Sequence, residues 1–226
     1  MDEIKTAIRK GHQSLSEFQS KKLLDSYGIP ITREKLAGSM DDAVSYAGDI
    51  GYPVALKACS HALMHKSEND CIRLNLKTAQ EVMHAYHHII GAVDMALEGV
   101  LVQEMVAGQR ELVMGMNRDP RFGPCVMLGI GGIMTEIIND TVFRVAPFNR
   151  REAMDMIHEL RLKKMLEGFR GQAPADLETI THSLLAIGNI GIDFSGISEI
   201  DVNPLIIDKE GRITAVDALV ILERDE

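Results

Sequence analysis

Apolar residues recur at helical spacing in several stretches of this chain, and each stretch is opened by a short polar residue that can cap a helix. A Ser, Thr, Asp or Asn oxygen satisfies an orphan N–H of the first turn, and an acid three residues on completes a capping box. Ser14 with Glu17 predicts a first helix running through Leu23 and Leu24 and stopped by Tyr27-Gly28-Ile29-Pro30. Ser39 with Asp42 predicts a second, with Ala43, Tyr46, Ala47 and Ile50 on one face and Gly51 at its end. Thr78 with Glu81 predicts a third, carrying Val82, Tyr86, Ile89 and Ile90, and Asn149 with Glu152 predicts a fourth. Asp176 predicts the cap of a fifth, with Leu177, Ile180, Leu184 and Leu185 inward.

Between these lie short β-rich runs at residues 53–58, 72–76, 100–106, 111–116, 125–130, 133–138, 141–146, 197–207 and 213–222. Asn139-Asp140 predicts a hairpin turn, and Asp208-Lys209-Glu210-Gly211 predicts another between the last two strands. The order starts helix-strand-helix-strand and then becomes rich in hairpins. That mixture predicts an α+β fold with two sheets, not a doubly wound one. No internal repeat or low-complexity linker interrupts it.

The segment Glu199-Ile200-Asp201-Val202-Asn203-Pro204-Leu205 holds the most chemistry. Side chains alternate along a strand, so Glu199, Asp201 and Asn203 share one face, and Ile200 and Val202 form the apolar one. If the following turn takes five residues, Ile207 opposes Ile213, and Asn203 then lies opposite Asp217. Three acids and an amide are thereby expected to converge. Carboxylates gathered on half-buried strands repel one another and lose hydration, and a hard divalent cation relieves both. The alternative is a sheet with one solvated face.

Other candidates are weaker one by one. Lys57 interrupts the apolar run Val54-Ala55-Leu56-Lys57-Ala58; it needs a phosphate or another partner, or it snorkels to water. Gly129-Ile130-Gly131-Gly132 permits close backbone approach to a phosphate, or is a simple bend. Gln103-Glu104-Met105-Val106 leads through Gly108 to Glu111, a strand-to-loop edge able to pair with an adenine and a ribose. His65 lies in a polar loop segment and can carry a phosphoryl group; an exposed loop histidine has the same pattern. His84, His87 and His88 have metal-like helical spacing without a local carboxylate or Cys, and read as a solvated face.

Composition narrows the classes. The 226 residues are 46% hydrophobic and 25% charged, an ordinary globular balance for one large domain or two lobes. Aromatics make up only 4%, and 13 Met partly replace them as filler. A net charge of −9 argues against non-specific nucleic-acid binding, which needs basic surface. Cys59, Cys71 and Cys125 form no CxxC pair, which predicts a reducing compartment. No apolar run approaches the ~20 residues of a membrane span, and the start, MDEIKTAIRKGHQS, lacks a secretion signal. A cytoplasmic protein without membrane or nucleic-acid partners is expected.

Taken in order, these segments resemble the β subunit of ADP-forming acyl-CoA (acetyl-CoA) synthetases, relatives of the succinyl-CoA synthetase β subunit. Residues 15–30 (LSEFQSKKLLDSYGIP) resemble the family's opening, and 52–67 (YPVALKACSHALMHKS) its Lys strand and phosphohistidine loop. QEMVAG at 103–108 and ELVMGMNRDPRFGP at 111–124 resemble its nucleotide hinge. GIGGIMTE at 129–136, FRVAP at 143–147, GFRG at 168–171, the segment 199–205 and AVDA at 215–218 follow in family order. The resemblance implies an ATP-grasp fold of two lobes, each with a mainly antiparallel sheet and helices. The small lobe would be about 21–103, and the large lobe about 1–20 plus 104–226.

The resemblance further implies ATP or ADP with Mg²⁺. Lys57 would hold nucleotide phosphates, Glu104 and Val106 would meet adenine, and Glu111 the ribose side. Gly131 and Gly132 would border the nucleotide, and Asn203 and Asp217 match the magnesium positions. His65 matches a phosphoryl carrier, and Glu199 and Asp201 would steer the metal or the phosphohistidine, two roles left undivided. In the family the reaction is acyl-CoA + ADP + phosphate giving acid, CoA and ATP. The acyl phosphate forms on a CoA-binding α partner, commonly in an α2β2 assembly. One departure stands out: Glu68-Asn69-Asp70-Cys71 replaces the Asp and paired glycines that usually follow His-Lys-Ser, which adds negative charge and stiffens the backbone. That departure suits an alternative, a regulatory nucleotide-binding module of an acyltransferase-type assembly. An ATP-grasp ligase with another acceptor is a third reading.

Overall fold

The computed structural model describes residues 2–63, 71–132 and 140–223. Its helices are α1 (Asp2–Arg9), α2 (Glu17–Ser26), α3 (Met40–Ile50), α4 (Ala79–Ala92), α5 (Arg150–Glu159) and α6 (Leu177–Asp193). The strands are β1 (Glu34–Ala37), β2 (Val54–Cys59), β3 (Ile72–Leu76), β4 (Gly99–Glu104), β5 (Arg110–Asp119), β6 (Gly123–Ile130), β7 (Thr141–Val145), β8 (Ile197–Ile207), β9 (Ile213–Ala215) and β10 (Ala218–Leu222). They form two antiparallel sheets, a four-stranded one in the order β1-β4-β2-β3 and a six-stranded one in the order β10-β8-β5-β6-β7, with β9 also on β8. The α+β expectation therefore holds.

Caps set most helix starts. Ser39, Thr78, Asn149 and Asp176 each accept a first-turn N–H, as their spacing predicts. The start of α2 differs. Its cap is Ser16, in a capping box with Gln19, not Ser14 with Glu17. Ser14 Oγ donates instead to the His61 carbonyl at 2.7 Å. Glu17 is thereby released from capping and turned inward, where it is 2% exposed.

Helices α3 and α4 pack on each other and on the smaller sheet. Ala43, Ala47, Ile50, Val82, Ala85 and Ile89 meet Val54, Leu56, Ala58, Val100 and Val102 there. Ile90, one of the apolar residues this helix carries, is exposed, because the helix turns it away from that stripe. On the larger sheet, α5 and α6 cover one face, and Met156, Ile180, Leu184, Ile187 and Ile190 pack against Leu112, Met114, Met116, Leu128 and Ile200. Each such side chain contributes about 1.5–3 kcal/mol by leaving water. Leu23, Leu24 and Ile29 join this larger core, so packing changes nearer Glu34 than at the expected Lys21 boundary.

Three elements escaped the sequence pattern: α1, the short edge strand β1, and a 3₁₀ turn at Lys163–Leu166. The expected strand 213–222 is divided into β9 and β10 by Val216-Asp217. The expected strand 133–138 and Asn139 of its turn lie outside the described residues; β7 pairs directly with β6. Asp140 is buried and accepts the N–H groups of Arg161 and Leu162 at 2.9 and 2.8 Å. The turn after β8 closes as predicted, with Gly211 N donating to Asp208 O at 3.1 Å. Gly211 has φ +85, and a Cβ there would meet the Pro174 carbonyl oxygen at 2.0 Å, so only glycine fits.

Candidate active site at the junction of the two sheets

The register of β8 against the C-terminal strands places the central pair. Ile207 faces Ile213, Leu205 faces Ala215 and Val202 faces Ala218. Asn203 N donates to Asp217 O at 3.2 Å, and Val216 N to Pro204 O at 3.0 Å. Asn203 and Asp217 are thus side by side where the strand divides, as the five-residue turn predicts. Both offer oxygen donors, a set suited to a hard cation that shares its shell with phosphate oxygens and water.

The expected convergence of three acids is looser than the pattern implied. Glu199, Asp201 and Asn203 lie on the face opposite Ile200 and Val202. Alternate residues of one strand are about 7 Å apart at Cα, so their side chains must lean together to share one ion. Among the described residues no group of three His, Cys, Asp or Glu side chains can hold a metal ion. The acids still sense one another. Burial, and then the charges of Glu199 and Asp217, raise the Asp201 carboxyl above its ordinary range.

Lys57 comes from the other sheet. Its strand β2 is buried along its whole length, and Lys57 itself is 4% exposed. Its Nζ lies 2.7 Å from Glu17 Oε1, 3.3 Å from the Val216 carbonyl oxygen and 3.8 Å from Asp217 Oδ2. Burial acts to lower its pKa, but the charges of Glu17 and Asp217 outweigh it, so the ammonium is held above its ordinary range. The expected phosphate lysine and the expected metal-side acid therefore meet across the junction.

Sequence reasoning missed the rest of this cluster. Lys21, fully buried, reaches Glu17 Oε1 at 2.9 Å, Gln103 Oε1 at 3.0 Å, Thr32 Oγ1 at 3.2 Å and the Val216 carbonyl at 3.2 Å. It also pairs with Glu34 Oε2. Burial raises the Glu34 carboxyl above its usual range, partly offset by Lys21. A signal existed: Glu17, Ser20, Lys21 and Leu24 stand at i, i+3, i+4 and i+7, one helix face, and all four are buried. Reading Glu17 as a capping acid hid it.

The remaining candidates sit apart. The Glu104 carboxylate accepts from Arg33 N at 2.8 Å and Arg33 Nε at 2.7 Å. Glu104 and Val106 line a cleft of about 1100 Å³ beside the hinge, with Arg33, Asp208 and Arg212. That cleft does not include Lys57, Asn203 or Asp217. Gly131 N donates to Glu111 O at 2.8 Å, so this N–H closes the sheet and is not aimed at a phosphate. A Cβ on Gly131 would meet Glu111 Cβ at 3.0 Å, and one on Gly132 would meet Glu111 Oε2 at 3.3 Å. The glycines thus let the chain pass close to Glu111. His65 lies outside the described residues.

Known proteins resemble this chain along most of its length. The model of the ATP-grasp domain matches residues 6–222. The acetate–CoA ligase (ADP-forming) I subunit beta of Pyrococcus furiosus is 37% identical, over 97% of each chain. In Archaeoglobus fulgidus, acetate–CoA ligase (ADP-forming) I is 38% identical over 88% of this chain, a match that takes up 30% of that longer protein. Among solved structures, a Candidatus Korarchaeum cryptofilum acetyl-coenzyme A synthetase 1 aligns with a TM-score of 0.85 and 40% identity over 98% of both chains. Its description names coenzyme A, Mg-AMPPCP and a phosphohistidine segment pointing towards the nucleotide-binding site. With the sheet junction arranged as above, the chain belongs to the ATP-grasp family, in the branch of the β subunits of ADP-forming acyl-CoA synthetases.

Proposed function

We propose that this chain is the nucleotide-binding subunit of an ADP-forming acyl-CoA synthetase, exchanging a phosphoryl group between ADP/ATP and a phosphohistidine. The observation that carries this reading is the meeting of Lys57 from one sheet with Asp217, which lies beside Asn203 of the other. In it, Asn203 and Asp217 hold Mg²⁺, which when bound neutralises charge on the transferring phosphoryl group. Lys57 donates to phosphate oxygens; an ammonium has three donors, and Glu17 and Val216 O take two. Its burial removes water and strengthens that contact. The hinge at Glu104 and Val106 borders the adenine, and Glu111, backed by Gly131 and Gly132, the ribose side.

His65 is the proposed phosphoryl acceptor, with Glu199 and Asp201 steering it or the metal. The name of the Pyrococcus furiosus relative, a beta subunit, supports a partner chain. We take that partner to be a CoA-binding α subunit, in an α2β2 assembly. No helix among the described residues is long and apolar enough to cross a membrane. The free cysteines support a reducing, cytoplasmic setting. The two lobes of the reading follow the two cores, with residues 21–29 assigned to the larger.

The test is co-expression with a CoA-binding α-type chain and an assay of acyl-CoA-dependent ATP formation. His65→Ala is expected to abolish turnover and keep Mg·ADP binding. Asp217→Ala is expected to weaken Mg·ADP binding at least about tenfold, from loss of a charged ligand. Unchanged affinity in Asp217→Ala defeats the metal assignment, and unchanged turnover in His65→Ala removes the relay. Nucleotide binding without turnover in the wild-type complex favours the regulatory module.

A further inference from the structure

The junction holds two buried ammonium groups that share the same two oxygens. Glu17 Oε1 lies 2.9 Å from Lys21 Nζ and 2.7 Å from Lys57 Nζ. The Val216 carbonyl oxygen lies 3.2 Å from Lys21 Nζ and 3.3 Å from Lys57 Nζ. Both lysines and Glu17 are almost wholly removed from water. Two such cations repel unless an anion lies between them, and Glu17 occupies that place.

The contacts also join separate elements. Lys21 and Glu17 stand one turn apart on α2, which packs on β10 of the larger sheet. Gln103, which Lys21 contacts, lies in β4 of the smaller sheet directly before its last residue, the hinge residue Glu104. Val216 directly precedes Asp217, at the gap between β9 and β10. The group thus grips the backbone beside the metal-side acid and the side chain of the phosphate lysine at once.

We propose that Glu17 and Lys21 are positioning residues for phosphoryl transfer, holding Lys57 and the Val216-Asp217 backbone at fixed separation so that one ammonium donor stays directed to the nucleotide. This rests on the nucleotide-site reading above. Neither residue touches nucleotide; both act through Lys57 and the Val216 carbonyl. Glu17 also favours the charged form of Lys57. Lys21 keeps Glu17 centred between the two cations, and its contact with Gln103 ties that arrangement to the hinge strand.

A double-mutant cycle tests it, with Mg·ADP titrated calorimetrically into the enzyme assembled with its CoA-binding partner. Glu17→Gln keeps the shape and removes the charge. It is expected to weaken Mg·ADP about tenfold, the scale of one charge-assisted hydrogen bond. Lys57→Ala is expected to weaken it more. Adding Glu17→Gln to Lys57→Ala is expected to cost clearly less than Glu17→Gln costs alone, because the part of its action that runs through Lys57 has gone. A merely structural role multiplies the two losses, and that result, or wild-type affinity in Glu17→Gln, overturns the proposal. If Lys57→Ala itself binds Mg·ADP like wild type, the nucleotide-site reading fails, and the proposal with it. Should Glu17→Gln not fold, Lys21→Met combined with Glu34→Gln removes one cation and one anion together, and the same non-additivity with Lys57→Ala is expected of it.

Discussion

The two sheets are built on the same antiparallel pairing but are held by different means. The larger core interleaves Leu, Ile and Met side chains of β5, β6 and β8 with those of α5 and α6. In the smaller, Ala37, Ala43, Ala47, Ala58 and Ala85 take up many of the buried positions. Small side chains bring helix and sheet close but remove less apolar area from water. The smaller sheet compensates at its inner end, where Lys57 and Gln103 enter the polar junction with Lys21 and Glu17. Hydrophobic burial dominates one region, and charge pairing across the junction steadies the other.

Three measurements break or sharpen this contrast. The largest effect is expected from Lys21→Met. It leaves Glu17 and Glu34 buried with fewer cations, and should cost about 3–5 kcal/mol in chemical denaturation. A loss below about 1 kcal/mol, the scale of an exposed pair such as Lys35–Asp49, means that charge does not hold the junction.

Next come matched truncations of the two cores. Leu128→Ala and Ile89→Ala, both at positions 0% exposed, should each cost about 2–5 kcal/mol. Their reach should differ. Ile89→Ala is expected to speed amide exchange in β2 and β4 while β5 and β8 keep their protection. Equal acceleration in both sheets makes the chain one cooperative unit and dissolves the contrast.

The smallest effect concerns α6, which braces the larger sheet. Asp176 caps it, accepting from Thr179 N at 3.1 Å and Thr179 Oγ1 at 2.7 Å. Those bonds lower its carboxyl below the ordinary value of 3.8. Asp176→Ala should cost about 1 kcal/mol at neutral pH. A depressed acid stabilises the fold fully above its unfolded pKa, and the gain is lost as pH falls through the folded value. The gap between variant and wild type should therefore narrow below about pH 4. A gap that stays constant into acid would assign the effect to helix propensity instead of the cap.

Much of this was legible beforehand because it is local. Capping residues and apolar spacing located α3 to α6, since both act within a few residues. The register that pairs Asn203 with Asp217 followed from one turn, because a strand's two-residue period carries register outward from the turn that sets it. The ordered motifs placed Lys57 on a buried strand. Tertiary structure alone decided what that lysine meets. Glu17 and Lys21 looked like the polar start of an ordinary helix, and their burial depends on α2 lying between two sheets, through contacts with Glu34, Gln103 and Val216 far along the chain. The Gly131 N–H went to Glu111, a pairing invisible in either segment separately. The chain's own pattern determined which side chains could carry the chemistry; long-range packing determined which of them share a charge, because electrostatic partnership depends on distance through space and on exclusion of water, and sequence spacing encodes neither.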